Sequence, residues 1–302
     1  MLENTMENIK LIYFNDSIST YADFLANITV DGINYSTTST NATVTGPNTV
    51  TGSLVIPGTF NYLGSEYTVT SIGESAFNGA SSLTSITIPA SVTSIGNYAF
   101  FYASSLTSIT FEANSQLASI RNGAFYGTSA LTAITIPASV TFFDLNPFRN
   151  SGITDILYNE NNTRLVYYPP SLTATEFAIP DSVTNIERSA FNGATSLTKI
   201  TIHEGVTSIG NNAFYNASSL TAITLPGVTS IGVNAFTGAS SLTSVFIADS
   251  QIPGLVSPAT NVDFFGAIVN TILPPIPTTF TLNDGSTVEI DIVGELIKSS
   301  YS

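Results

Sequence analysis

One feature constrains this chain more than any other: a phenylalanine that returns at a nearly constant interval, in most places behind an alanine. The series is Phe77, Phe100, Phe125, Phe148, Phe191, Phe214 and Phe236, with gaps of 23, 25, 23, 43, 23 and 22 residues. Self-similarity at a period of 20–50 residues marks a stack of small supersecondary units. One such unit cannot bury its apolar side alone, so the units must pile on one another and share a continuous core.

The text around each phenylalanine says what a unit contains. Val69 to Ser91 reads VTSIGESAFNGASSLTSITIPAS, and close copies begin at Val92, Val206 and Val228. In LTSITIP the residues alternate, with Ile86 and Ile88 facing one way and Ser85 and Thr87 the other. Period-2 alternation with β-branched residues predicts a half-buried strand. The strand is too short to make a sheet within its own unit. It must pair with its counterparts in neighbouring coils as a parallel ladder. Pro89, lacking a main-chain N–H, ends it. VTSI predicts a second short extended segment with Val92 and Ile95 inward, and Gly96 suits the turn that follows. Leu83, Leu106, Leu131, Leu197, Leu220 and Leu242 form a further inward column.

Composition bounds the function. Of 302 residues, 43% are hydrophobic and only 9% are charged, so the chain can build a core and must keep its surface wet with Ser, Thr and Asn. Asp and Glu total 21 against 7 Lys and Arg. The basic residues (Lys10, Arg121, Arg149, Arg164, Arg188, Lys199, Lys298) lie scattered along the chain. This argues against a nucleic-acid partner, which needs a clustered basic face. The absence of cysteine removes disulfides and thiolate metal sites. No apolar run approaches the length of a membrane span. The opening MLENTMENIKLIYF has no basic stretch followed by an apolar one, so it is not a signal peptide as it stands. Either the protein is not exported, or its export signal lies outside this sequence.

The pattern VTSIGxxAFxxxxSLTSITIP, from about Val69 to Ser250, resembles the BspA-like, Treponema-type leucine-rich repeat family. The resemblance implies a mainly β, right-handed leucine-rich-repeat superhelix of about 23-residue coils with little helix. It also implies surface or secreted proteins, often of host-associated bacteria, with roles in adhesion and protein binding. The family often has Cys before the Ser-Leu step. This chain has Ala80, Ala103, Thr128, Ala194, Ala217 and Ala239 near that point.

The array is interrupted. From Val140 to Ser182 the unit is irregular: Asp144 stands in place of Gly, Pro147 in place of Ala, and LYNENNTRLVYYPP predicts a hairpin with Tyr158 and Leu165–Tyr168 on its two arms. Residues 1–68 read as an N-terminal β cap with a turn at Asp31-Gly32, merging into a coil in which Val55-Ile56-Pro57 takes the Thr-Ile-Pro place. Residues 251–302 read as a C-terminal cap or the start of a further module. They predict one short helix near 262–270 and a hairpin around Asn283-Asp284-Gly285.

Catalytic and ligand motifs are sparse. His203, the single histidine, sits where other units have Pro and reads as a corner substitution rather than a general base. Asp144, Asp155, Glu160, Glu176 and Asp181 are the carboxylates that could form a hydrolytic pair, and solvated loop charge is the plainer reading. No phosphate loop or metal-ligand spacing is present, so neither cofactor nor metal is expected. The remaining signal is the outward side of the strand ladder: Ser85, Thr87, Ser108, Thr110, Thr135, Lys199, Thr201 and Thr224. This face is the candidate site for a protein or glycan partner of a monomeric, extracellular, non-enzymatic binding solenoid. Tyr158, Tyr167 and Tyr168 could add aromatic anchors. The alternatives are a structural spacer within a larger surface protein and, remotely, a carbohydrate-active enzyme.

Overall fold

In the computed structural model, residues 26–248 and the strands Ile268–Ile272, Thr279–Thr281 and Thr287–Glu289 are described. Two ladders of short parallel strands run along a stack of coils of about 23 residues. No helix occurs among the described residues.

The first ladder is the predicted strand face. Gly52–Val55, Leu83–Ile88 and Ser108–Phe111 pair in parallel, with Leu54 opposite Ile86, Ser85 opposite Ser108 and Thr87 opposite Thr110. It resumes as Glu176–Ala178, Lys199–Thr201, Ala222–Leu225, Ser244–Ala248 and Ile268–Ile272. Between the two runs, the coil of Thr135 contributes only an isolated bridge from Ile136 to Asn159. The second ladder is built from the Ser-Ile pairs of VTSI. It runs Ser65–Ile72, Ser94–Ile95, Ser119–Ile120 and Phe142–Phe143. A second run takes Arg164–Tyr167, Asn185–Ile186, Ser208–Ile209 and Ser230–Ile231.

Three antiparallel strands precede the coils. Ala26–Val30 and Ile33–Thr37 form a hairpin through Asp31 and Gly32, both at positive φ as a tight two-residue turn requires. Ile33–Thr37 pairs with Asn41–Gly46, which then pairs in parallel with Ser65–Ile72. Residues 1–25 of the predicted cap lie outside the described residues. At the other end, Ile268–Ile272 is a strand parallel to Ser244–Ala248. The helix expected near 262–270 is therefore corrected over 268–270: Val269 and Asn270 continue the ladder against Val245 and Phe246. Residues 262–267 lie outside the described residues. Thr279–Thr281 and Thr287–Glu289 pair as an antiparallel hairpin.

The core follows the repeat. All seven recurring phenylalanines are fully buried. The leucine column and the inward Val and Ile of VTSI are buried with them, except for Ile231, which is half-buried. Burying each Phe contributes roughly 1.5–3 kcal/mol. The rings stack from coil to coil: Phe77 on Phe100, Phe100 on Phe125, Phe125 on Phe148, then Phe191 on Phe214 and Phe214 on Phe236, with centroids 5.0–5.4 Å apart. The 43-residue gap between Phe148 and Phe191 is filled by the hairpin Leu157–Tyr158 against Arg164–Tyr167. Tyr167 packs on Phe148 and Tyr168 on Phe191. These two chain neighbours belong to different clusters, so the apolar core is divided at the irregular unit.

Polar groups also work coil to coil. The hydroxyls of Thr93, Thr107, Thr198, Thr221 and Thr243 each donate to the carbonyl of the threonine in the preceding coil, Thr70, Thr84, Thr175, Thr198 and Thr221, at 3.0–3.2 Å. This accounts for a stable surface with few charges: hydroxyl donors are consumed along the stack. Gly96 shows why a glycine closes VTSIG, since a Cβ there would come within 2.7 Å of the Glu74 nitrogen and the Gly73 carbonyl carbon.

Candidate functional site

Six of the eight predicted face residues are exposed (Ser108, Thr110, Thr135, Lys199, Thr201 and Thr224), and Ser85 and Thr87 are half-buried. The ladder does not bring all eight onto one uninterrupted sheet. Ser85, Thr87, Ser108 and Thr110 share the first run, and Lys199, Thr201 and Thr224 the second. Lys199 pairs with Glu176 at 3.4 Å on an exposed surface, an interaction worth little. Thr224 sits beside Phe246.

Thr135 lies in the interruption, and there the face is indented. A cavity of about 600 Å³ opens between its coil and the one before it. Thr110 and Thr135 line it, together with Glu112, Asn114, Pro137 and Glu160. Its origin is the 25-residue spacing between Phe100 and Phe125. The longer unit carries Glu112–Ser115 outward, turning at Asn114 with φ 60°. Asn114 tolerates this left-handed conformation better than most residues.

Glu112 and Glu160 occupy the corner where the neighbouring units have Pro89 and Pro137. Each carboxylate reaches back one coil and accepts a main-chain N–H, from Ala90 at 3.1 Å and from Ala138 at 3.3 Å. His203 holds the same corner. Its Nδ1 accepts the Gly205 N–H at 3.1 Å, which leaves Nε2 to donate to the Pro180 carbonyl at 3.0 Å. The ring is thus committed to bracing one coil against the last.

The other predicted carboxylates do not converge. Asp144 faces Arg188 at 3.6 Å, Glu176 faces Lys199, and Asp155 and Asp181 are exposed. Glu160 shares its cavity with Glu112, which the sequence reading passed over. The two-residue excess in that unit was the signal that could have found it. Among the described residues, no group of three His, Asp or Glu side chains could hold a metal ion.

Two expectations about surface chemistry need correction. Tyr167 and Tyr168 are 8% and 1% exposed, so they are core residues that continue the phenylalanine stack and cannot anchor a partner. Among the described residues, the large exposed aromatics are Tyr98 and Tyr102 instead, on the loops away from the strand face. The arginines are also less dispersed than their numbering suggests. Arg121 and Arg188 both lie over the ring of Phe142, at 4.8 and 5.2 Å from its centre. Arg164 forms an ion pair with the nearly buried Glu187.

Parallel strands stacked one coil at a time, with an inward leucine and phenylalanine per coil, define a leucine-rich-repeat solenoid. The chain belongs to the BspA type leucine rich repeat region family, whose pattern it matches in six copies over residues 59–169 and 166–253. No curated protein matches it. Among solved structures, it is similar to a leucine-rich repeat protein from Bacteroides capillosus, at 36% identity over 44% of this chain and 98% of that one, with a TM-score of 0.39. A leucine-rich repeat protein from Bacteroides ovatus matches at 19% identity over 82% of this chain and all of its own, with a TM-score of 0.41. The pneumococcal vaccine antigen PcpA matches at 21% identity over 74% of this chain and 82% of its own, also with a TM-score of 0.41.

Proposed function

We propose that this chain is a partner-binding solenoid of a secreted or cell-surface protein and that it docks a protein ligand on its strand face. One observation carries the reading: the ladder breaks at Thr135, and the break opens a cavity on a face otherwise made of small hydroxyl side chains. A uniform Ser/Thr face offers a partner little to grip, whereas a cavity flanked by apolar and charged groups can seat an anchoring side chain. Glu112 and Glu160 give that seat a negative rim and suit a Lys or Arg from the partner. In this reading the two carboxylates are corner braces and ligand contacts, not a hydrolytic pair, and the protein is a monomer without enzymatic activity. The division into a cap over 1–68, a solenoid over 69–250 and a terminal module over 251–302 belongs to the same proposal.

The uniform hydroxyl surface on either side of the cavity favours a second reading, a structural spacer. Capture of host extracellular proteins separates the two, comparing the unaltered chain with Thr135→Glu and Thr201→Glu. A docking face loses its ligand in Thr135→Glu, where a third carboxylate and extra bulk fill the cavity. Capture that survives both substitutions removes the strand face as the site, and no capture by the unaltered chain favours the spacer.

A further inference from the structure

The loops opposite the strand face carry a cleft that neither the repeat nor the docking proposal requires. Each coil passes through two left-handed residues there, one on either side of the buried Ala-Phe. At the first position stand Ser75, Tyr98, Gly123, Asn146, Ser189, Asn212 and Asn234, and at the second Gly79, Tyr102, Gly127, Asn150, Gly193, Asn216 and Gly238. Gly, Asn and Ser are the residue types that such turns tolerate. Of these seven coils, only one puts bulky side chains at both, Tyr98 at φ 55° and Tyr102 at φ 53°. Strain of this kind persists where something other than stability holds it in place.

The next coil is shaped to receive these rings. A Cβ on Gly123 would come within 2.8 Å of Tyr98 Cε1, and one on Gly127 within 2.6 Å of Tyr102 Cδ1. Both tyrosines therefore lie against bare backbone. Phe101 stands edge-on to Tyr98 and to Tyr102, and stacks on Tyr126 at 5.1 Å. Asn122 donates its amide to the Tyr98 hydroxyl at 2.9 Å, and Asn150 does the same for Tyr126 at 2.8 Å. These bonds fix the rings and leave the Asn122 side-chain carbonyl free to accept. Arg149, which has no ion pair among the described residues, completes the wall. The open cleft between these groups measures about 480 Å³.

We infer that this cleft, formed by Tyr98, Phe101 and Tyr126 with Asn122 and Arg149, is a binding site for an uncharged pyranose saccharide. A pyranose presents a C–H face that suits the negative face of an aromatic ring. Its hydroxyls both donate and accept, and so match one free amide carbonyl beside one guanidinium. A peptide added as an extended strand fits less well, because its backbone needs main-chain partners. Those of this surface are already engaged between coils: Tyr98 N–H to Asn122, Tyr102 N–H to Tyr126, Gly123 N–H to Leu145 and Gly127 N–H to Arg149. A polyanionic glycan would meet a chain of net charge −14.

Tyr98→Asn and Tyr102→Gly restore residue types that other coils use at these positions, so both variants should fold with an unchanged or higher melting temperature. The probes are maltotriose, chitotriose and mannotriose, read by saturation-transfer NMR and by tyrosine emission, which no tryptophan obscures. At least one sugar is expected to bind the unaltered chain, and Tyr98→Asn to weaken it by about ten-fold or more, in line with the loss of one stacked ring. Thr135→Glu should leave this signal intact, which keeps the result separate from the fate of the strand-face proposal. The inference is overturned if none of the three sugars binds, if binding in Tyr98→Asn equals that of the unaltered chain, or if a neutral peptide binds the cleft while the sugars do not.

Discussion

The rings of Phe100 and Phe125 lie 9° from parallel with their centres 5.3 Å apart, each contributed by a different coil and each fully buried. Neither coil could keep such a ring from water by itself. Phe100→Ala opens a cavity between two neighbours and should cost about 3–5 kcal/mol. Phe214→Ala, between Phe191 and Phe236, should cost a similar amount. Thermal or denaturant melts check both, and a silent substitution at either site would contradict the stacked core.

The division of that core at Tyr167 and Tyr168 gives the two substitutions different reach. Coil stacks behave as chains of nearest-neighbour contacts. Phe100→Ala should therefore speed amide exchange most strongly between residues 69 and 150, and Phe214→Ala between 185 and 245. Equal acceleration on both sides in both variants would mean that the irregular unit does not limit coupling.

Gly96→Ala tests the close approach of coils. The added methyl would meet the backbone of residues 73 and 74, which cannot turn aside as a flexible side chain could. Overpacking of this kind costs about 1–3 kcal/mol. Gly210→Ala, aimed at the Arg188 nitrogen from 2.5 Å, should behave alike. A melting temperature unchanged in both would show that the coils can spread.

How much of this was legible in the sequence depends on whether a residue's role repeats. The leucine and phenylalanine columns could be read because each recurs every coil, and the corner role of His203 because proline holds the equivalent place. Tyr168 was misjudged because its partner, Phe191, stands where the periodicity had lapsed. The Glu112–Glu160 cavity depends on a two-residue excess meeting a gap in the ladder, a coincidence of geometry rather than of pattern. Tyr98 and Tyr102 fill positions that vary from unit to unit. Their significance lies in a positive φ and in the glycines of the following coil, neither of which a single repeat displays.

Tyr35 should respond to alkaline pH. Burial, aided by Asp31, pushes its phenol from 10.0 up to about 12, and burial does the same for Tyr167 against the opposing pull of Arg149. A phenol that ionises later in the folded chain adds stability that is fully present below pH 10 and is lost as pH rises through 12. The Tyr35 hydroxyl is buried with no hydrogen-bond partner among the described residues. Tyr35→Phe should thus be neutral or stabilising by about 1 kcal/mol at pH 7, and should flatten the stability loss between pH 10 and 12. A destabilised variant at pH 7 would show that the hydroxyl has a partner after all.

Glu187 should respond in the acidic range. Burial raises its carboxyl above 4.5, although Arg164 and Arg188 oppose the shift. A carboxyl with a raised folded-state value binds its proton more tightly in the folded chain. That margin is complete below 4.5 and disappears as pH climbs through the folded value. Measured against Glu187→Gln, the unaltered protein should therefore lose relative stability on going from pH 4 to pH 7. A relative gain over that interval would mean that the Arg164 ion pair outweighs burial.

The threonine hydroxyls that reach back one coil have a consequence for how such molecules vary in size. Each of these bonds spans 22 or 23 residues and joins only adjacent coils. Excising one complete repeat brings the same donors opposite the same acceptors, and duplicating one does likewise. Every insertion changes the span by about 4.8 Å, the spacing of neighbouring strands, and demands no compensating change elsewhere. The reach of the molecule is thus open to unequal exchange between near-identical stretches of its gene, while the Glu112 cavity and the Tyr98 cleft, each found once among the described residues, travel unchanged.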